Sequence, residues 1–237
     1  MRKLMLSMAL LAMTAAPALA GSVKFEGGPY QSGVGGEFTF KVLDASGGLD
    51  ISGYVAGKTS NVTPSSPTFQ TFCLEVDEFI QSGTTYGAVL SDTAQQGGKN
   101  TNSGDALSIG TAFLYSKFAT GSLSNYAYTG AGRKASAAAL QEAIWWLEGE
   151  QSSYTAGNLF VGLVTSTFAD AKVAAGANNY GVKVINMSAA NGAVCANGKP
   201  GPYCQDALIY VPDGGTTLML LGGALAGLSV FRRKLVR

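Results

Sequence analysis

The chain has 237 residues, 32 of them glycine, with 16 Lys+Arg against 15 Asp+Glu and no histidine. The missing histidine excludes Ser–His–Asp and Cys–His catalysis, His-ligated zinc and a histidine pH switch. Six basic residues (Arg2, Lys3, Arg232, Arg233, Lys234, Arg237) sit at the extreme ends, so residues 21–212 carry 10 basic and 14 acidic side chains, a net −4 that excludes a nucleic-acid partner.

Residues 1–20 read MRKLMLSMALLAMTAAPALA: two positive charges, an apolar run and a small-residue Ala-Leu-Ala end. That order predicts a secretory signal peptide cut by signal peptidase, with the mature chain beginning near Gly21. The remaining length allows one domain, 21–210, with a real core.

The body predicts an α+β fold, a β-rich N-terminal part and C-terminal strands around a helical insert. Residues 36–44 alternate Phe38, Phe40 and Val42 against Glu37, Thr39 and Lys41, the period of a half-buried strand. Stretches 23–25, 49–55 and 69–80 read similarly, and 61–67 (NVTPSSP) reads as a loop. Residues 105–119 place Leu107, Phe113, Leu114 and Phe118 at helical intervals. Residues 136–148 (SAAALQEAIWWLE) give the clearest helix, capped by Ser136 and stopped by the glycine after Glu148. A third helix is predicted over 158–174, with Leu159, Leu163 and Val164 on one face, and strands return at 181–187 and 207–211. No repeat of fixed period occurs.

The C-terminal end has three parts. Val211-Pro212-Asp213-Gly214-Gly215 precedes an apolar stretch, 216–231, and then Arg232-Arg233-Lys234. Sixteen residues of helix span about 24 Å, short of the hydrocarbon core unless neighbours help. A basic stop holds that end in the cytoplasm by the positive-inside rule, giving inner-membrane anchoring through one transmembrane helix. This tripartite tail, 211–237, resembles the PEP-CTERM sorting signals in the variant opening VPDGG or VPDSG. The resemblance implies recognition by an exosortase (a membrane cysteine transpeptidase), only transient inner-membrane anchoring, and delivery to the cell surface, outer membrane or extracellular matrix.

Export permits disulfides, and three cysteines leave one over. Cys195 and Cys204 enclose the turn-rich ANGKPGPY and are expected to pair, two free thiols being the other reading. Cys73 is then the odd one, within FQTFCLEVDE. A lone cysteine is ordinarily a small buried hydrophobe, but an exported free thiol must be buried or chemically committed. In the strongest helix, Leu140, Ile144 and Trp145 stand beside Gln141 and would screen its side chain from water.

The FCL segment followed by LQEAIW resembles the bacterial thioester (TQxA-type) domains of surface adhesins, over about 69–148. The resemblance implies that Cys73 is the thiol and Gln141 the acyl donor of an internal thioester, shielded by Leu140, Ile144 and Trp145. A surface amine or hydroxyl would then attack the acyl carbon and become covalently joined. Leu74 and the Ala139-Leu140 pair depart from the family pattern, and the Cys-to-Gln interval is short for it.

Other chemistry is less supported. Glu75, Asp77 and Glu78 follow Cys73, and on a strand Glu75 and Asp77 would share its face. A glycosidase would need a second carboxylate element, and Glu142, Glu148 and Glu150 read as solvated helix-face charges. Asp50, Asp92 and Asp105 lie in loops but make no calcium-ligand ladder, so no metal and no cofactor are expected. Trp145, Trp146, Tyr126 and Tyr128 read as core more than as a sugar platform, with one tryptophan buried and the other partly exposed. The expectation is an adhesive surface or matrix protein, not an enzyme. The alternative is a non-covalent structural or polysaccharide-binding matrix component.

Overall fold

The computed structural model describes residues 20–63, 66–95, 104–189, 195 and 204–212. The expected signal peptide, save Ala20, and the expected membrane helix at 216–231 lie outside them. Among the described residues no helix is long and apolar enough to cross a membrane.

Along the chain run β1 (Gly21–Gly27), β2 (Gln31–Ser32), β3 (Gly35–Gly36), β4 (Phe38–Asp44), β5 (Ser60–Thr63), β6 (Ser66–Thr71), β7 (Thr85–Ser91), β8 (Thr93–Ala94) and β9 (Asp105–Ala106). Three helices follow, α1 (Ile109–Ala119), α2 (Arg133–Leu147) and α3 (Leu159–Thr167), and then β10 (Val182–Ala189) and β11 (Ala207–Tyr210). The mixed strand–helix–strand order matches the predicted class.

Among the described residues seven strands form one antiparallel sheet in the order β11-β10-β7-β1-β4-β6-β5. Alternation builds it: β1 buries Val23 and Phe25, and β4 buries Phe38, Phe40 and Val42. Phe25 lies opposite Phe40 in the register, and their rings meet edge to face at 5.7 Å. Past β6 the chain leaves β5 and turns to the far edge of the sheet. Leu74 N–H donates to Asp206 O (3.0 Å), Leu208 N–H to Phe72 O (3.4 Å), and Cys73 bridges Ala207 antiparallel. The Thr71 hydroxyl adds to this seam by donating to Leu208 O (2.6 Å). The sheet thereby curls back on itself, and Cys73 sits on the closure.

The helices start and stop where side chains satisfy their ends. Ser108 caps α1 by accepting from Thr111 N–H, and Asn158 caps α3 by accepting from Phe160 and Val161 N–H. Glu148, just past α2, accepts from both the N–H and the hydroxyl of Ser108, which joins the end of α2 to the start of α1. Arg133 opens α2 and reaches the buried Glu37 with two hydrogen bonds, Nη2 to Oε1 at 2.5 Å and Nε to Oε2 at 3.0 Å. Tyr126 donates to the same carboxylate at 2.6 Å, and the Tyr30 ring lies under the guanidinium.

Several expected elements differ. Residues 105–106 are strand, and α1 begins only after the Ser108 cap. Ser136 lies inside α2, where its hydroxyl accepts from Ala127 N–H instead of capping, because the helix already starts at Arg133. The inner face of α3 is Phe160, Val161 and Val164, whereas Leu159 is 59% exposed. Residues 49–55 are not strand, since Leu49, Ile51 and Tyr54 are buried one by one from turns. Most of the predicted loop at 61–67 is strand instead: 61–63 belong to β5 and 66–67 to β6, which pair with each other, and 64–65 lie outside the described residues. Glu37, expected on the outer face, is fully buried because Arg133 neutralises it there.

Removing one partner of this buried pair leaves an unmatched charge. Arg133→Met is expected to lower unfolding free energy by about 3–5 kcal/mol in urea denaturation, while Glu37→Met/Arg133→Met should recover much of the loss.

Candidate functional site around Cys73 and Gln141

Two elements 68 residues apart in sequence meet at one carboxamide. Gln141 lies on the buried face of α2 with Ala137, Leu140 and Ile144. Its Oε1 accepts from Cys73 N–H at 3.1 Å, and its Nε2 donates to Cys73 O at 2.8 Å. The carboxamide thus pairs with the backbone of Cys73 as another strand would. A second donor reaches Oε1, the N–H of Gly36 at 3.3 Å. With 1% of its surface exposed, Gln141 would be costly to hold there without such partners.

The second donor comes from the β2–β3 hairpin, which lies against α2 only because two glycines permit it. A Cβ at Gly35 would stand 2.5 Å from the Trp145 ring and 2.7 Å from Gln141 Cγ. Gly36 has φ +104°, a backbone conformation that favours glycine, and a Cβ there would press on Ser32 N–H at 2.9 Å. The expected screening residues are arranged as follows: Leu140 and Ile144 are fully buried, and Trp145 is half-buried with its ring against Gly35.

The Cys73 thiol is buried, and a cavity of about 140 Å³ opens beside it. Phe25, Phe38, Glu78 and the hairpin-tip residues Gly33 and Val34 share its lining. The hairpin tip, where Val34 is 57% exposed, forms part of the wall of this cavity. A larger, open depression of about 490 Å³ lies between α2 and α3 and includes neither Cys73 nor Gln141. The carboxylate there, Glu142, is held by Thr155 and by Asn158.

Cys73 is surrounded by acids. Glu75, Glu78, Glu150 and Asp206 are all buried, and Glu150 Oε2 accepts from Val76 N–H at 2.9 Å while Asp206 Oδ2 accepts from Gln95 N–H at 2.6 Å. Burial first, then Glu75 and Glu78, push the thiol well above its ordinary range, so it is a neutral thiol at physiological pH. Burial, then the neighbouring Glu150, raise Glu75 to about 10; burial raises Asp206 to about 8. Glu148, apart from this group, is raised by burial to about 7 against the hydrogen bonds from Ser108 and Thr111.

The carboxylates are where the sequence misled. Glu148 and Glu150 are buried rather than solvated. Glu75 and Glu78 point inward and Asp77 outward, because the strand ends at Thr71 and the chain turns through 75–78. Gly36 carried no sequence signal beyond a glycine pair ahead of a strand. Of the aromatic candidates, Tyr126 is buried on Glu37, both tryptophans are half-buried rather than one buried and one exposed, and Lys172 covers the Trp146 ring at 4.2 Å. Cys195 and Cys204 form the expected disulfide. No group of acids among the described residues could hold a metal ion; Asp92 pairs with Lys183 and Asp50 closes a turn on Ser52.

Residues 210–235 match the family model described as the VPDSG-CTERM motif. The chain therefore carries a PEP-CTERM-type sorting signal, which points to an exported surface protein handled by an exosortase. Val211 and Pro212 of the signal are described; Asp213, Gly214, Gly215 and the basic stop lie outside the described residues. No curated protein and no solved structure matches the chain.

Each raised carboxyl binds its proton more tightly folded than unfolded. Their contribution to stability is fully present below about pH 4 and is lost as pH rises through about 8 for Asp206 and about 10 for Glu75. The urea midpoint should therefore fall from pH 5 to pH 10. Glu75→Gln should flatten the upper part of that decline.

Proposed function

We propose that the chain is an exosortase-processed surface protein that attaches covalently, once and without turnover, through a thioester between Cys73 and Gln141. The observation that supports this reading is the Gln141 carboxamide clamped by both backbone groups of Cys73. Formation needs no co-reactant. The Cys73 sulfur bonds to Gln141 Cδ, the C–N bond breaks, and the thiol proton leaves with the nitrogen as ammonia. An extracellular amine or hydroxyl on a surface or polysaccharide then bonds to Cδ, the C–S bond breaks, and the nucleophile's proton returns to sulfur.

The acidic surroundings bear on lifetime. Groups that keep the thiol protonated also make it a poor leaving group as a bare thiolate, and a buried acyl carbon meets little water. Both favour a bond that persists until a ligand reaches the cavity. A second reading is non-covalent polysaccharide binding in the open groove between α2 and α3, whose wall includes Ser136, Glu142, Thr155 and Asn158.

Intact-mass measurement of the exported protein distinguishes the two. The thioester predicts a chain lighter by one ammonia, beyond the two hydrogens lost to the disulfide, and methylamine adding at Gln141. Cys73→Ala should restore the full mass and abolish the adduct. A full-mass wild-type chain with an alkylatable Cys73, together with saturable polysaccharide binding unaffected by Cys73→Ala, would establish the second reading instead.

A further inference from the structure

Two backbone N–H groups from different parts of the chain converge on one buried oxygen. Cys73 N–H and Gly36 N–H both donate to Gln141 Oε1, at 3.1 and 3.3 Å. We infer that these two donors form an oxyanion hole for the Gln141 acyl carbon, with Glu37 and Arg133 as the positioning residues that hold the Gly36 donor in place. The inference rests on the thioester reading and adds the catalytic device that reading lacks.

Attack on Cδ, by the Cys73 sulfur or later by an incoming amine, turns the planar carbonyl into a tetrahedral centre and moves an electron pair onto Oε1. Donors already aimed at that oxygen stabilise the new charge without reorganising. In the first step the pair returns as the C–N bond breaks and ammonia departs with the thiol proton. In the second it returns as the C–S bond breaks and sulfur takes the nucleophile's proton. The same two N–H groups serve both directions, because Oε1 belongs to the amide, to the thioester and to the product alike. A neutral thiol among buried acids gains little from its own ionisation, so stabilisation at the oxygen becomes the main assistance available.

Placement of the Gly36 donor follows from a two-point attachment. Gly36 is bonded to Glu37, whose carboxylate is gripped by Arg133 on α2. Gln141 lies eight residues further along that helix, roughly 12 Å away at helical rise. One segment therefore meets one helix twice, by an ion pair and by the N–H to Oε1 bond. Arg133 also donates to the carbonyls of Lys58 and Tyr128, so its own position is fixed from three directions.

The test removes one donor atom. Gly36 is replaced by glycolate, converting its N–H to an ester oxygen in the mature protein, and Gly33, whose surroundings are open, receives the same change as a control. Methylamine addition at Gln141 is followed by mass, and the stretch of the ¹³C-labelled thioester carbonyl by infrared spectroscopy. The ester at position 36 should slow addition roughly 10²–10³-fold and raise the carbonyl frequency, with the control unchanged. Addition at the wild-type rate with an unshifted band overturns the oxyanion hole and leaves the thioester standing. A wild-type chain that keeps its ammonia overturns both. Should the ester at 36 fail to fold, the wild-type band decides: a frequency lower in the folded than in the urea-unfolded chain supports the two donors, and an equal one overturns them.

Discussion

The short pairing of residues 72–74 with 206–208 is the constraint on which the rest depends. An antiparallel sheet leaves edge groups to be satisfied, and here β6 divides its free edge between β5 at its start and β11 at its end. The seam places the end of β6 against the last strand of the domain, so folding near Cys73 is not local. It also sets the Cys73 N–H and C=O toward α2, where the Gln141 carboxamide takes the place of a further strand. Without the closure there would be no buried backbone pair for that side chain to meet.

What positions the site from the other side is charge rather than apolar packing. The Glu37–Arg133 pair fastens the start of β4 to the start of α2, and the β2–β3 hairpin is carried with it. Buried ion pairs are weak evidence of net stabilisation, since desolvation offsets most of the attraction. Their value lies in geometry, because a bidentate guanidinium–carboxylate contact permits few alternatives. The ring of hydrogen bonds around it, from Tyr126 and to two carbonyls, narrows those alternatives further.

The apolar framework was legible in the sequence because it is local. Alternation placed Phe38, Phe40 and Val42 inside, the composition of 136–148 marked the central helix, and the turn-rich loop between Cys195 and Cys204 marked the disulfide. Cys73 and Gln141 were singled out by residue type, context and resemblance. The acids were not legible. Glu37 finds its counter-ion 96 residues away, and Glu75 is buried against Glu150. Pattern alone assigns such residues to solvent, since only the folded chain shows which charges are matched or kept protonated. Gly36 was hidden for a related reason: its contribution is a main-chain N–H, which no side-chain motif encodes.

The last strand has a consequence for how the sorting signal can be reached. Val211, the first residue of the VPDGG motif, still donates its N–H to Gly181 O, and Pro212 lies against Gly53. The sorting signal thus begins inside the folded body, its first two residues held against the domain. A transpeptidase reading the whole motif would have to draw Val211 away from Gly181 or work close against the surface of the domain.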